Sequence, residues 1–121
     1  MRGASALRQV LAAHPQVRAF VVWEPVLRSD EHAPGAEVAL TDDPHVHRYW
    51  DPQLLLSRRL LGEATQRHDC LDGGDTDAPI VWDAVFVFPP GARWKETLPP
   101  SSFCGRTVVG VQRALDGALP R

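Results

Sequence analysis

The sequence predicts a single α/β domain, on three observations. Val17-Arg18-Ala19-Phe20-Val21-Val22-Trp23 is an extended run that is apolar on nearly both faces, the pattern of a strand in a parallel sheet covered by helices on either side. Asp51-Pro52 opens a stretch in which Leu54, Leu55, Leu56, Leu60 and Leu61 build one broad apolar helical face. Strand-like runs at 45–50 and 80–88 flank that helix, so extended and helical segments alternate as in α/β domains.

Ser5 is placed to cap a first helix within residues 1–16, on which Leu7, Val10 and Leu11 recur at helical spacing, and Pro15 ends it near His14. The strand 17–23 follows directly. Ser29-Asp30-Glu31 carries a helix-start signature, with its acids at the favourable end of the dipole, but Pro34 and Gly35 cut it short. Thr41-Asp42-Asp43-Pro44 is a turn, and His45-Val46-His47-Arg48-Tyr49-Trp50 has the β-branched and aromatic content of a second strand. In the helix after it, Asp51 caps the free amides, Pro52 takes the first helical position, where a missing N–H costs nothing, and Gly62 is the stop. Residues 66–79, with Gly73, Gly74 and a cluster of aspartates, form a polar loop. Ile80 to Phe88 is a third strand, Pro89-Pro90-Gly91 a sharp turn, and Ala92-Arg93-Trp94 the expected antiparallel partner. Val108, Val111 and Leu115 recur at helical intervals in a last helix with Gly117 as its stop.

At 121 residues the chain suffices for one domain, 1–121, that buries roughly two thirds of the surface its unfolded form exposes. Hydrophobic residues at 44% and charged residues at 23% are ordinary for a globular domain, and eleven prolines stiffen the connections. With a net charge of −2, arginines scattered and acids concentrated between residues 69 and 77, no basic stripe exists to neutralise phosphates, and nucleic acid is not an expected partner. No stretch approaches the roughly 20 apolar residues that span a bilayer. Met1 to Val10 lacks the apolar core of a secretion signal, so the expectation is a cytoplasmic protein without membrane contact. In that reducing setting the two cysteines, Cys70 and Cys104, are expected as free thiols.

Trp23 closes the first strand, and Ala78-Pro79-Ile80 enters the third. On these two matches, and on the order of strand, weak helix, strand, helix, strand, turn, short strand and helix, residues 17–118 resemble the thioredoxin-like superfamily. The resemblance implies a central mixed sheet of about four strands, part parallel and part antiparallel, flanked by helices, with Pro79 where the family has a cis-proline. Where the family has Trp-Cys-Gly-Pro-Cys, this chain reads Trp23-Glu24-Pro25-Val26-Leu27. Glu24 and Leu27 stand at the two thiol positions, and dithiol exchange needs one sulfur to attack and a second to resolve. The family's redox activity is therefore not expected. What remains is a non-redox module binding a protein or ligand through Trp23, Glu24, Pro25, Val26, Leu27 and Pro79, around the loop where open α/β sheets hold their ligands.

Other residues carry chemistry of their own. His45 and His47 stand two apart on a predicted strand and project from one face. With His68, Asp69 or Cys70 they would make a donor set compatible with zinc; exposed histidines on an outer strand are the plain alternative. Asp69, Asp72, Asp75 and Asp77 match a calcium loop in composition only, since the closing bidentate glutamate is missing. Glu24, beside Trp23 and Pro25, would have its pKa raised by burial and become a proton acceptor. Asp83, inside the third strand, is read as pairing with an arginine or capping a backbone donor. Cys104, just ahead of the last helix, would have its thiol activated by the helix dipole, a route to single-cysteine redox chemistry, against the commoner fate of an inert buried thiol. The four tryptophans, Trp23, Trp50, Trp82 and Trp94, lie on or near strands and read as core, with Trp94 the candidate for an exposed anchor.

Overall fold

The computed structural model describes residues 2–25, 43–62, 81 and 83–121. Arg2–Ala13 form α1, which begins ahead of Ser5 and so holds that serine inside the helix instead of at its cap. It ends just before His14, as Pro15 requires. Ala6, Val10 and Leu11 are its buried stripe.

β1 (Ala19–Trp23) and β2 (Val46–Trp50) pair in parallel, with Ala19 opposite Val46 and Trp23 opposite Trp50. The ladder is prolonged at one end by Ala19 N–H donating to His45 O at 2.9 Å and at the other by Asp51 N–H donating to Trp23 O at 2.8 Å. The expectation that residues 17–23 are covered on both sides is corrected. Phe20, Val22, His47 and Tyr49 share one face, on which Phe20 is 62% and Tyr49 53% exposed. Phe20 finds its neighbour sideways, stacked on its register partner His47 with ring centroids 5.2 Å apart.

α2 runs from Leu55 to Gly62, later than Asp51-Pro52 predicts, because Leu54 adopts φ 57°, a left-handed conformation that a right-handed helix cannot include. Pro52 accordingly lies in the turn before the helix. Asp51 still caps: its Oδ2 accepts the Leu56 N–H at 2.8 Å. Ser57 and Leu60 face inward, while Leu55 is exposed.

β3 (Ala84–Val87) and β4 (Phe103–Arg106) are antiparallel, with Ala84 opposite Arg106 and Val87 opposite Phe103. Asp83, at φ 51°, interrupts the extended run expected from Ile80 onward. The turn at Pro89-Pro90-Gly91 forms: Ala92 N–H donates to Pro89 O at 3.1 Å and Gly91 takes φ 80°, a value glycine tolerates without strain. Residues 92–94 are exposed and form no strand, which corrects the hairpin expectation. The partner of β3 is β4, whose Gly105 is buried against the following helix; a Cβ at that position would lie 2.8 Å from Val111 Cγ1.

That helix, α3 (Val108–Ala118), is capped by Thr107, whose Oγ1 accepts the Gly110 N–H at 3.1 Å, and by Asp83, whose Oδ1 accepts the Val108 N–H at 3.2 Å. Gly117 lies within it and does not stop it. α3 packs against α1 on one side and against β3 and β4 on the other, with Leu115 at 2% exposure in the middle of that core. The fold is thus mixed α/β, with three helices and two two-stranded sheets among the described residues. The four strands stand there as a parallel and an antiparallel pair, not as one continuous central sheet. No helix among the described residues is long and apolar enough to cross a membrane.

Candidate functional site

Parallel pairing in register brings the ends of β1 and β2 side by side, so the residues that follow, Glu24 and Asp51, emerge next to each other at the carboxyl edge of the pair. Ligands of open α/β sheets collect at this edge. Glu24 is held at both oxygens by one residue of α2: the Ser57 N–H donates to Oε1 at 3.0 Å and the Ser57 hydroxyl donates to Oε2. The same hydroxyl accepts the Val81 N–H at 2.8 Å. Ser57, 1% exposed, therefore ties the end of β1, the first turns of α2 and the approach to β3 into one network.

The two carboxyl groups are in hydrogen-bonding reach of each other. Burial pushes Glu24 above its ordinary value of 4.5; the two Ser57 donors oppose this, and the hydrogen bond and charge of Asp51 add to it. Asp51 moves the other way, below 3.8. Burial alone would raise it, but the amides of Leu56 and Leu55, the Glu24 hydrogen bond and the amide of Gln53 together outweigh burial. The opposite shifts make Glu24 the member of the pair that takes up a proton more readily and Asp51 the one that keeps its charge to lower pH. Beside the pair, the Trp23 Nε1–H is buried and has no hydrogen-bond partner among the described residues.

Of the residues singled out in the sequence, the structure brings Trp23, Glu24 and Pro25 to this edge; Val26, Leu27 and Pro79 lie outside the described residues. His45 and His47 are both exposed; the His45 N–H donates to Asp43 Oδ1 at 2.8 Å, and the His47 ring rests on Phe20. Among the described residues no three His, Cys, Asp or Glu side chains gather as a metal would need. His68, Asp69 and Cys70 fall outside those residues, as do Asp72, Asp75 and Asp77. Asp83 does cap a backbone donor, as its position suggested. Trp94 is 39% exposed, with the Arg59 guanidinium 5.9 Å from its ring centre.

Cys104 corrects the free-thiol expectation. It lies in β4 opposite Phe86 and is disulfide-bonded. A bonded sulfur has no thiolate, so the dipole-activated thiol read from its position is not there to attack. The chain's other cysteine is Cys70.

Sequence reasoning found Glu24 but missed its partners Asp51 and Ser57. A signal for the first was present: Trp23-Glu24-Pro25 and Trp50-Asp51-Pro52 are the same aromatic, acid, proline triplet at the ends of two strands. In-register parallel strands necessarily bring two such triplets together. Comparison with protein-family models, curated proteins and solved structures found no match, so function has to be argued from the site.

Proposed function

We propose that the chain is a non-redox, thioredoxin-like domain that acts as a binding module, holding a protein or ligand at the carboxyl edge of β1 and β2. A parallel pair, then an antiparallel pair, then a closing helix is the order of the two halves that this scaffold joins, and it supports the assignment.

The observation that carries the functional reading is Glu24. It stands where the resemblance puts the attacking thiol, and both of its oxygens are engaged by Ser57, so the position is built as a polar anchor. The two carboxyl groups, Glu24 and Asp51, bring acceptor oxygens and negative charge to one edge, which suits recognition of a polar or cationic group. Val26, Leu27 and Pro79 belong to the proposed surface on sequence alone. The bonded state of Cys104 supports an oxidising compartment in place of the cytoplasm.

An insulin-reduction assay with the purified chain tests the absence of redox chemistry. No turnover above the uncatalysed rate is expected, and robust turnover overturns the reading. Amide shift mapping during titration with guanidinium and alkylammonium ions tests the location. Shifts confined to residues 23–25 and 51–57, weakened in Glu24→Gln, are expected; shifts elsewhere overturn it.

A further inference from the structure

His14, directly after α1, is 1% exposed, yet both nitrogens of its ring face oxygen. Nε2 lies 2.8 Å from Asp116 Oδ1 on α3, and Nδ1 lies 2.9 Å from the carbonyl oxygen of Pro120, beyond the helix end. A proline carbonyl and an ionised carboxylate accept hydrogen bonds and donate none. Both contacts are hydrogen bonds only when both ring nitrogens carry a proton, which is the imidazolium form. In either neutral tautomer one ring lone pair points at an oxygen lone pair.

The charged groups facing the ring are Asp116 and Arg121, whose guanidinium is 3.9 Å from Asp116 Oδ2. Gln16 Nε2 donates to the same Pro120 carbonyl, so residues on both sides of Pro15 grip the C-terminal segment. We propose that His14 is a pH-operated latch: protonated, it pins residues 119–121 to the junction of α1 and α3, and losing its proton releases them. The electrostatics agree. The Pro120 carbonyl and then the Asp116 hydrogen bond raise the imidazole above its ordinary 6.5, burial lowers it, the Asp116 charge raises it further and Arg121 opposes. Because the folded value is raised, the latch contributes stability that is fully present below 6.5 and is lost as pH rises through the folded value.

The test follows the His14 ring resonances and the heteronuclear NOE of Leu119 and Arg121 across pH 5 to 9 by NMR, in the wild type and in Asp116→Asn. In the wild type the ring transition lies above 6.5, and the NOE of both residues falls through the same transition. An asparagine can turn its amide N–H toward a neutral ring. In Asp116→Asn the His14 transition therefore moves down, and the order of the C-terminal segment no longer follows pH above neutrality. A wild-type transition at or below 6.5, or C-terminal order that does not change across it, overturns the latch. The wild-type measurement decides the matter even if the variant folds poorly.

Discussion

Replacing Ser57 by alanine removes one buried hydroxyl and with it two hydrogen bonds of different kinds. The donation to Glu24 Oε2 is to an acidic group, and the acceptance from Val81 N–H satisfies a backbone donor. A hydrogen bond to a charged partner contributes about 1.5–3 kcal/mol, and a buried donor left unsatisfied costs about 1–3 kcal/mol. Glu24 and Val81 are only half-buried, so water replaces part of what is lost, and the lower ends of both ranges apply. Their sum is about 2.5 kcal/mol, which for a domain of this size is about a 10 °C fall in Tm. Chemical denaturation of wild type, Ser57→Ala, Glu24→Gln and the double variant measures it, and the cycle should show a coupling of about 1 kcal/mol between the two sites. A Ser57→Ala cost below about 0.5 kcal/mol, the ordinary scatter of surface substitutions, or the absence of coupling, would refute the claim that this hydroxyl joins β1, α2 and the approach to β3.

Asp51→Asn removes the charge that helps raise Glu24, so carboxyl NMR titration should show Glu24 moving down toward 4.5, with α2 keeping its cap because Asn caps as well as Asp. In the wild type, Glu24 is raised and contributes stability that is full below 4.5 and lost as pH rises through its folded value. Asp51 is lowered and contributes stability that is present above 3.8 and lost as pH falls through its folded value. Gly105→Ala sets a methyl 2.8 Å from Val111 Cγ1 and should cost about 1–3 kcal/mol by thermal melts, through separation of α3 from β4. Reducing the Cys104 disulfide should lower stability by about 2–4 kcal/mol; thiol titration in denaturant should find no free cysteine before reduction and two after it.

The elements that periodicity and punctuation define were legible in the sequence. α1 stops where Pro15 stops it, β1 and β2 fall where β-branched and aromatic residues cluster, and α3 begins where its apolar spacing begins. The misses share a cause, since each was decided by a contact distant in sequence. β3 pairs with β4 and not with residues 92–94, and Gly105 of β4 lies so close to α3 that a Cβ there would meet Val111, a fit that involves the helix as much as the strand. α2 starts late because Leu54 takes a left-handed turn that brings Ser57 under Glu24, thirty-three residues away. In the sequence His14 marks only where Pro15 ends the first helix; its two oxygen partners come from Asp116 and Pro120, more than a hundred residues on.

Glu24 illustrates how that kind of contact bears on the proposed function. From sequence alone, an acid after an apolar strand and beside a tryptophan reads as a proton acceptor. A general base, however, needs a free lone pair aimed at the proton it takes. Glu24 has one oxygen given to the Ser57 amide and the other to the Ser57 hydroxyl. Taking a proton at an oxygen that already accepts from Ser57 would weaken those bonds and with them the link to Val81. A partner that only needs to be gripped makes no such demand: a cationic group placed against Asp51 and the outer edge of Glu24 would meet two acidic acceptors and leave every internal hydrogen bond in place. A bound cation should therefore lower the Glu24 pKa, and carboxyl NMR titration with and without guanidinium would detect that fall.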